Sequence, residues 1–399
     1  MAALTACHHD HEDEGGDALR TVIVYMSAEN NLSSYSRSDL NEMMNGSKTL
    51  SKQQRLVAFV DDASSRRPYI VEMKGGRRDT LKTWDKDFYA SDPARFREVI
   101  TTVMERCPAR SYGLVLWGHA TGWFVEKDTI AQSRPRRAYG VDNGANLEEG
   151  FSFGNRWMNI TQMARALEGL PRFRFIFADC CCMMCVETVY ELRHRADYMI
   201  GSPAEIPGNG APYDKIVPLF FAETDDFYKA IVDAYYDYYI GQVGYPGCSV
   251  PLSVVDMSRM DLLAEATRAV LLAPDQYDTN QIAYYYREKN DAPVMFDMCS
   301  LMERNLDENN YGEWKKVLNE AVPYRRFSRC WMTNTQNFDV DKGFSNSIFT
   351  EDNYGGLSMF VEKPEYNFSR SFDFNRLIRQ MSWYEAVGWS RFPSFISPQ

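Results

Sequence analysis

Two segments of this chain end in side chains able to make and break acyl bonds. Residues 175–187 read Phe-Ile-Phe-Ala-Asp-Cys-Cys-Cys-Met-Met-Cys-Val-Glu, and residues 114–123 read Leu-Val-Leu-Trp-Gly-His-Ala-Thr-Gly-Trp. In each, an apolar run delivers a reactive group: Cys180, Cys181 and Cys182 in one, His119 in the other. A thiol nucleophile needs a partner that accepts its proton and returns one to the leaving group, and imidazole does both. Neighbouring buried strands of a parallel sheet bring such groups together at their carboxyl ends.

Counting narrows the histidine. Of five, His8, His9 and His11 lie in an acidic N-terminal stretch, and His194 sits in the basic run Leu192-Arg193-His194-Arg195. Only His119 follows an apolar strand, with Gly118 before it and Thr121-Gly122 after it, a pattern for a tight turn. The cysteine stays open on residue types alone. Cys180, Cys181, Cys182 and Cys185 all qualify, and a helix N-terminus beyond Cys182 would favour a thiolate at the first three. The competing reading is a cysteine-rich packing segment. Apart from Cys7, the remaining cysteines (Cys107, Cys248, Cys299 and Cys330) are scattered, with no paired CxxC spacing, so neither a disulfide framework nor a zinc site is expected.

The surrounding pattern alternates strands and helices. Thr21–Met26, Leu56–Val60, Tyr69–Met73, Leu114–Trp117, Phe173–Ala178 and Tyr198–Ile200 read as strands; Asp39–Met43, Asp92–Glu105 and Ile160–Leu170 read as helical. Such apolar strands predict an α/β fold whose mainly parallel sheet is covered on both faces. A long polar segment spans 126–155. Residues 214–399 are less regular, with helices near 227–239 and 259–272 and strands near 248–255 and 357–361.

Composition excludes some classes. The net charge of -11, without a basic run, argues against nucleic acid as a partner, and no 18-residue apolar stretch is present to span a membrane. Leu4-Thr5-Ala6-Cys7 has the form of a bacterial lipobox, although only Met1–Ala3 precede it. It implies a lipid anchor at Cys7, an acidic tether after it, and a cell-envelope or secreted location. The alternative for His8, His9 and His11 is adventitious metal binding.

Four motifs in order resemble the clostripain family of cysteine peptidases. Tyr25–Leu32, followed by Asp39–Met43, is similar to the family's opening, with Glu29 where aspartate is typical. Trp117–Trp123 resembles its histidine motif, with Ala120 in place of glycine. Asp179-Cys180-Cys181-Cys182-Met183, with Glu187 beyond, resembles its Asp-Ala-Cys-Leu-Met motif, and that alignment puts the family's nucleophile on Cys181. Gly201-Ser202 and Pro207–Tyr213 match a further segment.

The resemblance implies a caspase-like α/β/α sandwich. Residues 1–20 would be a flexible tail and 21–213 the catalytic domain, with a loop near 126–155. Residues 214–399 would be a C-terminal extension of helices and strands packed on that domain. It implies a cysteine endopeptidase with a His119–Cys181 dyad, oxyanion contacts at Ala120 and Cys181, and peptide or protein substrates cut after Arg or Lys. Asp179, Ser202, Glu205 and Asn209 would contact substrate, and self-cleavage would follow Arg136 or Arg137. Asn209 stands where the family often has aspartate, which implies weaker selection of basic residues unless Glu205 or Asp214 substitutes. The chemistry itself calls for no metal; calcium dependence occurs in the family. Two other readings stay open: a catalytically silent, peptidase-like binding protein, and a thiol-redox protein using Cys180–Cys182.

Overall fold

The computed structural model describes residues 18–124, 138–147, 156–240, 242, 248–288, 292–332, 350–369, 372–393 and 395. Its first half builds a sheet from β1 (Ala18–Ala28), β2 (Gln54–Asp62), β3 (Tyr69–Lys74), β4 (Arg77–Thr83) and β5 (Ala109–Gly118). α1 (Ser33–Gly46) lies between β1 and β2, and α2 (Pro93–Arg106) precedes β5. A short hairpin of β6 (Tyr139–Asp142) and β7 (Arg156–Met158) follows, inside and just beyond the stretch that reads as polar loop. Then come α3 (Ile160–Ala166), β8 (Phe173–Asp179), α4 (Val186–Leu192) and β9 (Ala196–Gly201).

The later part of the chain completes the same architecture. It supplies α5 (Tyr213–Ile216), α6 (Phe227–Ile240), β10 (Leu252–Asp256), α7 (Met260–Ala269), β11 (Tyr284–Glu288), β12 (Ala292–Asp297), β13 (Tyr324–Arg326) and β14 (Ser358–Met359). The nine-stranded sheet runs β13-β10-β9-β8-β5-β1-β2-β3-β4. Its five central strands, β9 to β2, are parallel, and the two strands at each edge are antiparallel.

Period-two alternation sorts the side chains between two cores. Ile23, Tyr25, Leu114 and Leu116 face one core with Phe96, Val99 and Val103 of α2 and Val186 of α4. Val22, Val24, Met26, Val115 and Trp117 face the other, with Leu40 and Met43 of α1 and Ile231 and Tyr235 of α6. The result is a three-layer α/β/α sandwich. Local signals set the helix ends: Asp92 accepts from the Ala94 and Arg95 amides with Pro93 at the first position, and Asn159 opens α3 in a capping box with Gln162.

Residues 214–399 are woven into this body. β10 and β13 extend the sheet, α6 covers one face, and the Ser358 amide donates to the Met184 carbonyl at 3.0 Å, beside the cysteine-bearing turn. Cys248 and Cys330 form a disulfide, their Cα atoms 5.2 Å apart. This one pair departs from the expectation that the scattered cysteines form no disulfide framework: partners 82 residues apart leave no local spacing to read.

Candidate active site

β5 and β8 are parallel neighbours with Trp117 opposite Asp179. His119 and Cys181 each lie two residues beyond that pair. Adjacent strands run about 4.8 Å apart, so thiol and imidazole leave the same edge of the sheet side by side. The two turns are packed closely. A Cβ at Gly122, whose φ is +68°, would sit 2.6 Å from the Cys182 carbonyl oxygen and 2.7 Å from Cys185 Sγ. Only glycine permits that approach and that conformation together.

Burial separates the four cysteines. Cys180, Cys182 and Cys185 are buried, and Cys181 is partly accessible. Burial pushes the thiols of Cys180 and Cys182 well above the ordinary range and that of Cys185 up to about 12. They are inert packing groups. Cys182 adopts a left-handed φ of +58°, uncommon outside glycine, and its amide donates to the Ala204 carbonyl at 2.9 Å. This turn puts Cys180 and Cys182 inside and Cys181 outward. The Cys181 sulfur accepts from the Ile206 amide at 3.4 Å. α4 begins only at Val186, with Cys185 as its cap, so the helix terminus expected just beyond Cys182 stands four residues past Cys181.

His119 is held by its backbone and its ring. Its carbonyl accepts from the Gly140 amide at 2.7 Å, and the Thr121 amide donates to Ala138 at 2.9 Å. These bonds flank an antiparallel Ala120–Tyr139 bridge, which turns the Ala120 N–H away from β6. The ring Nε2 lies 2.7 Å from Asn31 Oδ1. This contact orients the imidazole, and which partner donates depends on the ring tautomer. The Trp157 ring forms a wall 6.4 Å from the imidazole.

Asp179 is buried beneath Cys181. Tyr213 donates to its Oδ2 at 2.7 Å, the Ala211 amide to Oδ2 at 3.1 Å and Tyr235 to Oδ1 at 3.1 Å. Burial raises its pKa, and these three donors pull it back. Nearby, Trp117 Nε1 donates to Asp39 at 2.7 Å; burial first, then the charge on Asp179, pushes Asp39 up to about 9.

The other residues expected at the site are distributed around this centre. Ser202 is buried, its hydroxyl accepting from the Ala204 amide and its carbonyl from the Met184 amide. Glu205 is half-buried and bridged to Met332. Asn209 is exposed on the loop before Gly210. Arg136, Arg137 and Cys7 lie outside the described residues. Residue types alone did not single out Asn31, Tyr213 or Tyr235. Asn31 stood in a quoted motif without a role, and the tyrosines looked like packing.

A second acidic group lies further along the same edge. Glu29, Asp61 and Asp142 are buried, and each offers a carboxylate oxygen within 4.8 Å of the others. Burial first holds all three above the usual carboxylate range; the charge of Asp142 adds to this at Glu29, which stands at about 9, and at Asp61, while hydrogen bonds from the Gly144 and Ala90 amides and from the Glu29 and Asp61 side chains pull Asp142 back. Asp61 receives no backbone amide or hydroxyl; its side-chain neighbour is the Asp142 carboxyl, with which it shares a proton.

A partly accessible thiol and an anchored imidazole at adjacent carboxyl ends of a parallel sheet, inside an α/β/α sandwich, define a cysteine peptidase of the caspase-like class. The sequence matches the clostripain family, peptidase group C11, over residues 24–385, and the chain belongs to that family. No curated protein sequence matches it significantly. Among solved structures, a secreted C11 cysteine protease from Bacteroides thetaiotaomicron, held with an irreversible peptide inhibitor, is 29% identical with a TM-score of 0.77. The match covers 94% of this chain and 100% of that one. An inactive zymogen C11 protease from Parabacteroides distasonis is 25% identical with a TM-score of 0.74, covering 94% and 99%. Among the described residues no helix is long and apolar enough to cross a membrane.

Proposed function

We propose that this cysteine peptidase cuts peptide bonds through a Cys181–His119 dyad, with preference for Arg or Lys before the cut. The register of β5 against β8, with accessibility confined to Cys181 among the clustered cysteines, carries the reading. The Cys181 thiolate attacks the scissile carbonyl, forming a C–S bond. Backbone N–H groups at Ala120 and Cys181 stabilise the oxyanion, each worth about 3 kcal/mol at comparable sites. His119 protonates the amine as the C–N bond breaks. It then takes a proton from water, which attacks the thioester and releases the acid and the thiol.

Preference for a basic residue is supported by the carboxyl groups clustered behind the nucleophile, which an entering cationic side chain would favour in their ionised form. Asp179 lies two residues before Cys181, Asp39 is electrostatically coupled to it, and Glu205 is near enough to act on the Cys182 thiol. On this reading Asp179, and not exposed position 209, is the acidic base of the pocket. The peptide inhibitor on the Bacteroides relative supports a peptide substrate, and the zymogen relative supports maturation by cleavage after Arg136 or Arg137. The disulfide and the secreted relative support an exported protein, anchored through Cys7 or released.

The test is labelling with a lysine- or arginine-bearing peptide electrophile, followed by mass mapping. Adduct on Cys181, lost in Cys181→Ala together with hydrolysis, is expected. Hydrolysis that survives Cys181→Ala but not Cys180→Ala or Cys182→Ala would refute the assignment. A chain that neither labels nor cleaves would be the silent binding protein.

A further inference from the structure

One aromatic side chain at the site has no part in the chemistry of the dyad. In the β6–β7 hairpin Tyr139 stands opposite Met158 and Asp142 opposite Arg156. Tyr139 and Met158 are buried in the core, so period-two alternation sends Trp157 to the other face of the hairpin. That face meets His119. The Trp157 side is partly accessible, and its ring centre lies 6.4 Å from that of the imidazole at an interplanar angle of 49°. The hairpin is fixed on one side of the histidine. The Gly140 amide donates to the His119 carbonyl, and the Ser27 hydroxyl of β1 donates to the Gly140 carbonyl at 2.9 Å. Asn30, just past β1, donates to the Val141 carbonyl at 2.7 Å. β1 flanks β5 on the side away from β8. Cys181, His119 and Trp157 therefore follow one another across the edge of the sheet.

The hairpin does not need an indole at this position. Met158 fills the core, and the Arg156 guanidinium lies over the Tyr89 ring at 4.2 Å. The Trp157 N–H is buried with no acceptor, although a buried indole ordinarily finds one. A smaller apolar residue would pack the hairpin without that loss, so the large ring is explained by what it presents to the cleft.

We propose that Trp157 walls the subsite for the residue just after the cut and selects a large apolar side chain there, a role that rests on the Cys181–His119 reading. The thiol attacks the scissile carbonyl, and the imidazole protonates the departing nitrogen. The departing chain therefore lies on the imidazole's side of the thiol, and its first side chain comes against the indole. An apolar side chain placed there takes apolar surface of both partners out of water. Glycine offers no such surface, and a charged side chain would lose hydration without a partner. The contact acts while the C–N bond is still intact, because the departing chain is gone before water attacks the thioester. Its effect belongs to kcat/KM for peptides.

The experiment uses the full chain and peptides identical up to an Arg–X bond, with X as Leu, Phe, Gly or Asp. A chloromethyl ketone peptide ending in arginine, which reaches only the side before the cut, first checks the dyad. In the wild type, kcat/KM for X as Leu or Phe should exceed that for Gly by about tenfold, and Trp157→Ala should reduce the ratio to about twofold. Trp157→Phe should fall between, and it reports alone should Trp157→Ala fail to fold. Arg156→Ala, on the opposite face of the hairpin, should keep the wild-type ratio. A purely structural Trp157 would slow all four peptides equally and leave the ratio in place, which would overturn the subsite. A wild type that labels and cuts without regard to X would overturn it too, with the dyad left standing. A wild type that neither labels nor cuts would overturn the dyad and the subsite with it.

Discussion

Two buried acidic sites share the carboxyl edge of the sheet, and they are finished differently. Asp179 receives two tyrosine hydroxyls and a backbone amide, so its oxygens have fixed partners in the protein itself. Asp61 is as deeply buried and receives no amide or hydroxyl, only the carboxyls of Glu29 and Asp142 beside it. The first carboxylate is completed by neutral donors; the second is held among other carboxyls and is driven toward its protonated form. Burial alone therefore says little about a carboxylate. The donors around it decide how far burial displaces its titration.

The largest expected effect breaks the completed site. Asp179→Ala strands Tyr213 Oη, Tyr235 Oη and the Ala211 amide, and at about 1–3 kcal/mol per buried unsatisfied group the loss should reach about 3–5 kcal/mol after relaxation. Denaturant melts measure it. A change below 1 kcal/mol would show that those donors find other partners. Next in size, and opposite in sign, Asp61→Asn should stabilise the protein at neutral pH by about 1–3 kcal/mol, since it removes the cost of keeping a buried carboxyl protonated and supplies a permanent donor to its neighbours. If both aspartates destabilise on replacement, the contrast between them fails.

A third test probes the bridge between the regions. Asn31 positions the His119 ring and stands on the segment that begins at Glu29. Asn31→Ala should lower kcat about tenfold with KM nearly unchanged, the loss expected for one orienting hydrogen bond of about 1.4 kcal/mol. Asn31→Asp, which keeps the acceptor, should recover much of that rate and shift the pH–rate profile toward higher pH, because a carboxylate favours imidazolium. A purely structural Asn31 would change stability and leave the profile in place.

The sequence reveals the fold and much of the candidate chemistry because both are written in local pattern. Apolar strands such as Leu114–Trp117 and Phe173–Ala178 stay buried on both faces, and that made the sheet readable. β4 escaped notice because an exposed edge strand reading Arg-Arg-Asp-Thr-Leu-Lys-Thr carries charge where a central strand carries valine. β6 escaped because Tyr-Gly-Val-Asp is short and glycine-bearing. Residue types left the nucleophile open among four cysteines, since selection depends on which thiol a left-handed turn at Cys182 faces outward. The family motif pointed to Cys181, and accessibility agrees. The acidic group was not legible at all, because Glu29, Asp61 and Asp142 meet only once three segments of the chain are aligned. Tyr235 was hidden for the same reason, arriving at Asp179 from a helix 56 residues away.

Glu187 supplies an intermediate between the two sites and the smallest predicted effect. It is fully buried in α4, and its Oε1 accepts from the Phe360 amide at 2.8 Å, while Oε2 has no donor. Burial pushes it up to about 8, with the Phe360 amide pulling the other way. A carboxyl whose folded pKa exceeds its unfolded value binds its proton more tightly in the native state. Its stabilising contribution is therefore full below the unfolded value near 4.5 and is lost as pH rises toward 8. The slope has an upper limit of about 1.4 kcal/mol per pH unit. Glu187→Gln keeps the acceptor for Phe360 and removes the titration. It should change stability little at pH 5 and flatten the decline between pH 5 and 8, as urea melts across that range would record. A slope identical to wild type would mean that Glu187 has the same pKa folded and unfolded. Half-satisfaction would then count as full, and donor count would no longer separate Asp179 from Asp61.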